Sequence, residues 1–327
     1  MDQDQLINDF MKYIKSKKKK DFFDKPSNLY ISTKVCCCKL NCPISNDAVI
    51  QHIKRVILKD IVDEKHNEDL TGINSNPNIV GIKYTGEDEE KNKCEFIYSK
   101  LGSSKIKSKK KLFNNSTTII VRLENKETPV NIKFFVNGSV SMSGCKKDDD
   151  GLKAMKILIK ELQNSNEVFL NNKDNLKNVN IIDYDISCIN ANYNIGFNID
   201  RDKLKEILED KFKLKVKFKP KRYPGVLVSY MINTECKDEA ICPCPRTCRG
   251  KGKKATGSGI GCCKKITLSV FQSGNIIITG AKNIDQTIKA YKYINGIIHE
   301  YFNTITKFTI EDCYQDFEIF LENYNSI

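Results

Sequence analysis

Apolar positions along the 327-residue chain alternate between two periods. A period of two marks "LYISTKVCCCKL" (29–40), "NIVGIKYTG" (78–86), "TTIIVRL" (117–123) and "VNIKFFVNGSVSMSGCK" (130–146). Alternate side chains of a strand share a face, so these stretches predict half-buried strands. A period near 3.6 marks "SNDAVIQHIKRVI", where Val49, Ile53 and Ile57 follow a cap-like Ser45. It also marks "KKDDDGLKAMKILIKEL", where Leu152, Met155, Ile159 and Leu162 form a stripe behind three aspartates. Both read as amphipathic helices with well-chosen N-termini.

The second half runs through the same order. "NVNIIDYDISCINANYNIGF" predicts an opening strand, "DRDKLKEILEDK" a helix, "KFKLKVKFKPKRYPGVLVSYMI" and "KKITLSVFQSGNIIITGAK" two hairpins, and "NIDQTIKAYKYINGIIHEYF" a closing helix. One hairpin is written twice: "FVNGSVSMSGCK" from Phe135 returns as "FQSGNIIITGAK" from Phe271, a separation far longer than a solenoid repeat. Asn137-Gly138 is a two-residue turn signal in the first copy. Strand, helix, several antiparallel strands and a long helix, given twice, predict an α+β fold with helices on one face of a sheet. The sequence contains nothing to cover the other face.

Composition then narrows the function classes. A net charge of +13 points to an anionic partner. No apolar run is long enough for a transmembrane helix, and the N-terminus places its charge after its apolar residues, the reverse of a secretory signal. The expected compartment is intracellular, where fourteen cysteines serve as metal ligands or core residues rather than disulfides. The three histidines are scattered and no phosphate-cradling loop is present, so no catalytic constellation is visible and an enzyme is not expected.

The doubled hairpin with its helix, "YPGVLVSYM" ahead of the second copy and "STKVCCCKL" opening the first resemble the TATA-binding protein family, from about Leu29 to Phe302. Length, insertions and divergence are most similar to the TATA-binding-protein-like proteins of large cytoplasmic DNA viruses. The resemblance implies a pseudo-two-fold saddle whose concave sheet meets the DNA minor groove and whose helices lie on the convex side. The first 25 residues read, from their own pattern, as a short amphipathic helix followed by a lysine run, a basic arm over 1–25 expected to be flexible; the resemblance adds a first saddle repeat over 26–165 with an insertion at about 86–116. A second repeat over 179–304, with a cysteine-rich insertion at about 233–263, and an extension over 305–327 complete the division.

Wedges in this family come in pairs that pry base steps apart at a few kcal/mol per step, a figure borrowed from the family itself. The resemblance assigns these roles to Ile79 with Phe135 and Tyr223 with Phe271. The expected groove-facing set is Lys133, Ser139, Ser141 and Ser143 in the first copy, with Ser269, Asn275, Ile277 and Thr279 in the second. The family's two central asparagines fall on Leu29 and Cys188, with Asn28 and Asn190 nearby, and its two phosphate-touching arginines fall on Thr85 and Ser229.

Phosphate contact is therefore expected from elsewhere. Lys211, Lys213, Lys215, Lys217 and Lys219 alternate with apolar residues, which predicts a strand with one cationic face, suited to phosphate or to an acidic partner; Lys221 follows in the turn. An edge strand guarded by lysines is the plainer alternative. Lys219 and Lys221 also stand where relatives carry acids that hold a B-type initiation factor, so such a factor should dock badly. The cysteine-rich insertion brings Cys236, Cys242, Cys244, Cys248, Cys262 and Cys263 into one loop, from which four thiolates can close a zinc site. Cys36, Cys37 and Cys38 alternate faces on a strand and cannot share one ion.

The resulting expectation is a monomeric factor that binds and bends AT-rich promoter DNA, with transcription initiation factors or RNA polymerase as partners. A viral protein would act in the host cytoplasm or virion, any other in the nucleus. The alternative is a scaffold of the same fold that has lost DNA affinity and binds acidic proteins.

Overall fold

A computed structural model describes residues 3–24, 28–61, 74–87, 90–102, 105–108, 116–170, 176–233, 240–244, 248, 250–251, 263–308 and 313–324. In chain order the elements are α1 (Gln3–Asp24), β1 (Tyr30–Leu40), α2 (Asn46–Leu58), β2 (Ile79–Glu87), β3 (Lys93–Ser99), β4 (Lys105–Ser108), β5 (Ser116–Val121), β6 (Val130–Phe135), β7 (Ser139–Cys145) and α3 (Asp150–Leu162). They continue with β8 (Ile181–Asn194), β9 (Asn198–Ile199), α4 (Arg201–Asp210), β10 (Lys215–Lys219), β11 (Tyr223–Ile232), β12 (Lys264–Val270), β13 (Asn275–Ala281), α5 (Ile284–Glu300), α6 (Phe302–Ile305), β14 (Thr306–Lys307) and α7 (Tyr314–Tyr324). Contacts divide the chain into a unit of residues 33–187 and a unit made of residues 1–32 with 188–327.

In the 33–187 unit the strands pair antiparallel in the order β1-β7-β6-β5-β2-β3-β4. Helix α2 lies on β2, β5 and β3, and α3 lies on β6 and β7. The period-two pattern explains which face they take: Ile82, Ile119, Ile132, Phe134 and Met142 are fully buried with Val49, Ile53 and Ile57 of α2 and Met155 and Leu158 of α3. Ser45 caps α2 by accepting from the Ala48 amide, as its position suggested. The Asp150 carboxylate accepts from the amides of Lys146 and Lys147 and closes the turn into α3.

In the other unit β10-β11-β12-β13-β8 pair antiparallel in the same relative order. Strand β8 plays the part of β1, β13 of β7, β12 of β6, β11 of β5 and β10 of β2. Helices α4 and α5 cover one face, over buried Val226, Val228, Tyr230, Ile266, Leu268, Val270, Ile276 and Ile278. The hairpin glycines are fixed by backbone demands. Gly138 and Gly274 have φ of +79° and +77°, and an added Cβ would stand 2.5 Å from the Cys42 carbonyl or 2.3 Å from that of Phe197. The first turn closes from the Gly138 amide to the Phe135 carbonyl, so Val136 and Asn137 form its corner rather than Asn137-Gly138.

Three expectations change here. The amphipathic helix expected at the N-terminus is α1, but it continues through the lysine run to Asp24 and is docked rather than a flexible arm, with Phe10 and Ile14 fully buried against α7 residues Phe317 and Phe320. An apolar stripe that had no evident partner in the sequence found one at the far end of the chain. The cationic strand begins only at Lys215, because α4 runs to Asp210, Lys211 caps it, and Lys213 turns the chain with φ of +52°. Lys211 and Lys213 therefore leave the strand. The insertion at 86–116 is in part ordered sheet, since β3 and β4 continue the pairing beyond β2.

Candidate nucleic-acid interface and metal centre

Opposed residues of an antiparallel pair point to the same side, so the register defines what each uncovered face presents. In the second unit one row reads Lys215, Ser229, Thr267, Thr279, Asn190, and the next reads Lys217, Leu227, Ser269, Ile277, Asn192. A third holds Lys219 opposite Tyr223, and Asn275 opposite Asn194, with the Phe271 amide donating to the Asn275 carbonyl. The lysines of β10 thus share a face with the expected groove residues Asn275, Ile277 and Thr279. Ser269 lies on that face as well but is only 5% exposed, which takes it out of reach of a ligand.

Tyr223 and Phe271 stand side by side with ring centroids 5.7 Å apart, and Tyr223 is 38% exposed. Gly225 lies against both rings, one residue before the first β11–β12 pair, Val226 with Val270. A Cβ there would lie 2.9 Å from the Tyr223 ring and 3.2 Å from the Phe271 ring, so only a glycine leaves room for both. Arg201, at the start of α4, clamps the two strand ends behind the rings. Its guanidinium donates to the Pro224 carbonyl and, at 3.0 Å, to Gln272 Oε1, while stacking 5.2 Å over Phe218. Asn192, Asn194, Asn275, Ile277 and Phe271, with Tyr30, line a depression of about 570 Å³ in this face.

The first unit carries Ser139, Ser141 and Ser143 on its uncovered face, with Lys133 opposite Ser141 and Cys37 beside it. Phe135 is half-buried opposite Ser116 of β5. Ile79 does not flank it. Ile79 is fully buried opposite Val121, on β2, the strand that corresponds to β10 rather than to β11. The pairing of "NIVG" with "YPG" followed sequence order past an insertion of two strands, and the strand equivalent to β11 is β5. A buried isoleucine cannot serve as a wedge, so this assignment is withdrawn.

Sequence reasoning overlooked Asn192, Asn194, Thr267, Leu227 and Arg201. The Asn-x-Asn-x-Asn spacing of 190–194 was the available signal for the first two. The others become legible only through register and through the fold of α4 onto the hairpin ends.

The thiol cluster lies at the far end of the β11–β12 hairpin. The Sγ atoms of Cys242, Cys244, Cys248 and Cys263 all fall within 4.8 Å of one another, with Cys263 3.5 Å from both Cys242 and Cys244. Four sulfurs at about 2.3 Å from a tetrahedral ion stand about 3.8 Å apart, so the set can hold a metal. Burial pushes the Cys242 and Cys263 thiols up, and a bound cation would displace their protons. Cys236 and Cys262 lie outside the described residues. No disulfide occurs among the described cysteines, and Cys36 and Cys38 are core while Cys37 faces the other way. No described helix is long and apolar enough to cross a membrane.

Residues 183–301 match the family profile of Transcription factor TFIID (or TATA-binding protein, TBP). A "TATA-box-binding protein-like" protein of Acanthamoeba polyphaga mimivirus is 29% identical over 304 residues, covering 90% of this chain and 70% of its own length. Among solved structures, Methanococcus jannaschii TBP aligns with a TM-score of 0.41 and 17% identity, over 84% of this chain and 99% of that one. Over most of its length the chain is therefore similar to the TATA-box-binding protein-like protein of Acanthamoeba polyphaga mimivirus, and over residues 183–301 to the TATA-binding protein family.

Proposed function

We propose that this chain is a transcription initiation factor that binds AT-rich duplex DNA from the minor groove and bends it, acting by binding alone. The observation that supports this reading most is the Tyr223–Phe271 pair, two aromatic rings held over Gly225 at the edge of a face of small, hydroxylated and amide side chains. Rings exposed in this way are wedges for a base step, and the shallow groove accepts the flat rows beside them. Asn192 and its neighbours can donate to the acceptors that A·T pairs show there. Lys215, Lys217 and Lys219 line the margin where a phosphate backbone would run. Lys219 and Lys221 leave no acidic surface for a B-type factor at this edge, so the recruited partner should differ from one that expects it.

Phe271→Ala should therefore reduce DNA bending at every salt concentration, whereas Lys215→Ala should weaken binding chiefly at low salt. Energy transfer between dyes at the two duplex ends reads the bend. If the wild-type protein binds without shortening that distance, the wedge mechanism is wrong and a scaffold for acidic proteins takes its place.

The cysteine cluster is a structural zinc site in this reading, since four thiolates in tetrahedral reach close the coordination shell. The ion would staple the insertion to its hairpin. Cys263 directly precedes β12, the Lys265 amide donates to the Gly250 carbonyl, and the Met231 amide at the end of β11 donates to Ala240. Metal analysis should find one zinc per chain, lost in the Cys244→Ser/Cys248→Ser variant; a metal-free protein prepared without chelator would refute the site.

A further inference from the structure

The β3–β4 hairpin does more than fill an insertion, because it extends the uncovered face of the 33–187 unit by two strands. The register places Ser141, Lys133, Thr118, Lys83, Ile97 and Lys105 in one row across β7, β6, β5, β2, β3 and β4. Lys107 lies in the adjoining row opposite Glu95, which in turn opposes Thr85. Helices α2 and α3 sit on the opposite side of this sheet, over Ile82, Ile119, Ile132 and Met142. Within the row, Lys133, Lys83 and Lys105 occur on every second strand, separated by neutral Thr118 and Ile97. Strands about 4.8 Å apart put successive ammonium groups about 10 Å apart and the array at about 19 Å. At 3.4 Å per base-pair step that is close to six steps. Glu95 is the one acid on these rows, and it faces Lys107.

We infer that β3 and β4 prolong a phosphate-contacting track that starts at Lys83 on β2, the last strand of the five-strand pattern, so that Lys105 and Lys107 hold the DNA backbone beyond the part of the face which that pattern provides. The track carries no base-reading side chain, so it lengthens the site without adding sequence preference. The inference rests on the proposed DNA-binding reading and concerns the β3–β4 hairpin, which the five strands β8, β13, β12, β11 and β10 of the other unit lack.

The test compares the full-length protein with its Lys83→Ala/Lys105→Ala/Lys107→Ala variant on an AT-rich duplex, by hydroxyl-radical footprinting and by affinity across a salt series. These lysines lie outside the buried core, so unchanged thermal unfolding should verify the fold. Three lost phosphate contacts should flatten the slope of log K against log salt by about 2.7 and withdraw the footprint by about six base pairs on one side. The bend read at Phe271 should remain. As a control, Lys215→Ala/Lys217→Ala/Lys219→Ala should flatten the slope while leaving that footprint boundary in place. Wild-type binding and bending with an unaltered slope and boundary in the Lys83/Lys105/Lys107 variant would overturn this inference and leave the proposed function standing. Absence of DNA binding by the wild type would overturn both. Loss of poly-glutamate binding in the variant, with DNA binding intact, would assign the track to an acidic protein and overturn it as well.

Discussion

Arg201 illustrates how a charge can act without meeting the ligand. Its guanidinium ties Pro224, next to Tyr223, to Gln272, next to Phe271, and so fixes the two strand ends that carry the rings. Both partners are neutral acceptors, and hydrogen bonds from a charged donor contribute about 1.5–3 kcal/mol each where water is excluded. This site is exposed, so the effect should fall on ring placement more than on folding. Arg201→Ala is expected to lower the fraction of bent complexes several-fold while shifting the salt slope by less than one unit, because no phosphate contact is lost. Arg201→Lys should rescue little, since an ammonium lacks the fork that reaches both oxygens. Dye-pair energy transfer and a salt series on the same variants separate the two effects.

At the scale of elements, helices α2 and α3 are joined by a buried carboxylate. Glu161 of α3 lies 3.0 Å from His52 Nε2 of α2 and accepts from the Asn76 amide ahead of β2, with Asn164 at 3.4 Å. Burial alone would raise its pKa, but the partners, His52 first, outweigh that and hold it below its ordinary value of 4.5. A lowered folded pKa stabilises the fold at every pH above the unfolded value near 4.5, and the contribution is lost as the pH falls through the lower folded value. Glu161→Gln keeps the shape and removes the charge, so it should cost about 1–3 kcal/mol at neutral pH. Its penalty should shrink below pH 4.5, where the wild type loses the same contribution; urea unfolding between pH 3 and 7 measures both. A constant penalty across that range would show that the carboxylate charge is not what joins the helices. Helix α1 teaches a related lesson, because its apolar stripe docks on α7 and Lys17 and Lys18 pair there with Asp316 rather than trailing as a tail.

For the whole molecule, part of the net charge of +13 is laid out in rows on the two sheet faces. One carries Lys215, Lys217 and Lys219, and the other carries Lys133, Lys83, Lys105 and Lys107. If all seven neutralise phosphates, log K should fall against log salt with a slope of roughly −6. Preference for AT-rich over GC-rich duplex should persist as salt rises, because it comes from the groove rows and the wedge rather than from lysine. Loss of that preference at high salt, measured by gel shift on matched duplexes, would mean that charge alone governs binding.

Much of this was fixed by local pattern. The alternation of "FFVNGSVSMSGCK" and "VFQSGNIIITGAK" determines two hairpins with one apolar and one small polar face, and the stripes of α2, α3 and α5 determine which face is covered, because each periodicity has one way to hide its apolar side. The cysteines of the second insertion announced a thiol site in the same way. Tertiary structure decided what depends on register and on distant segments. Sequence order suggests Ile79 as a wedge because it cannot show that β3 and β4 intervene and that β5, not β2, borders Phe135. The lysine alternation from Lys211 was cut at Lys215 because α4 continues the chain as helix to Asp210, and a helix end overrides a strand pattern that costs it no buried surface. Among the described residues, the convergence of Cys242, Cys244, Cys248 and Cys263 was decided by folding alone, since spacing in a loop does not fix which thiols converge. The lysines of β10 and the small residues of β12 and β13 are far apart in the chain; hydrogen-bonded pairing, which assigns a face to every residue of a strand at once, made them one surface.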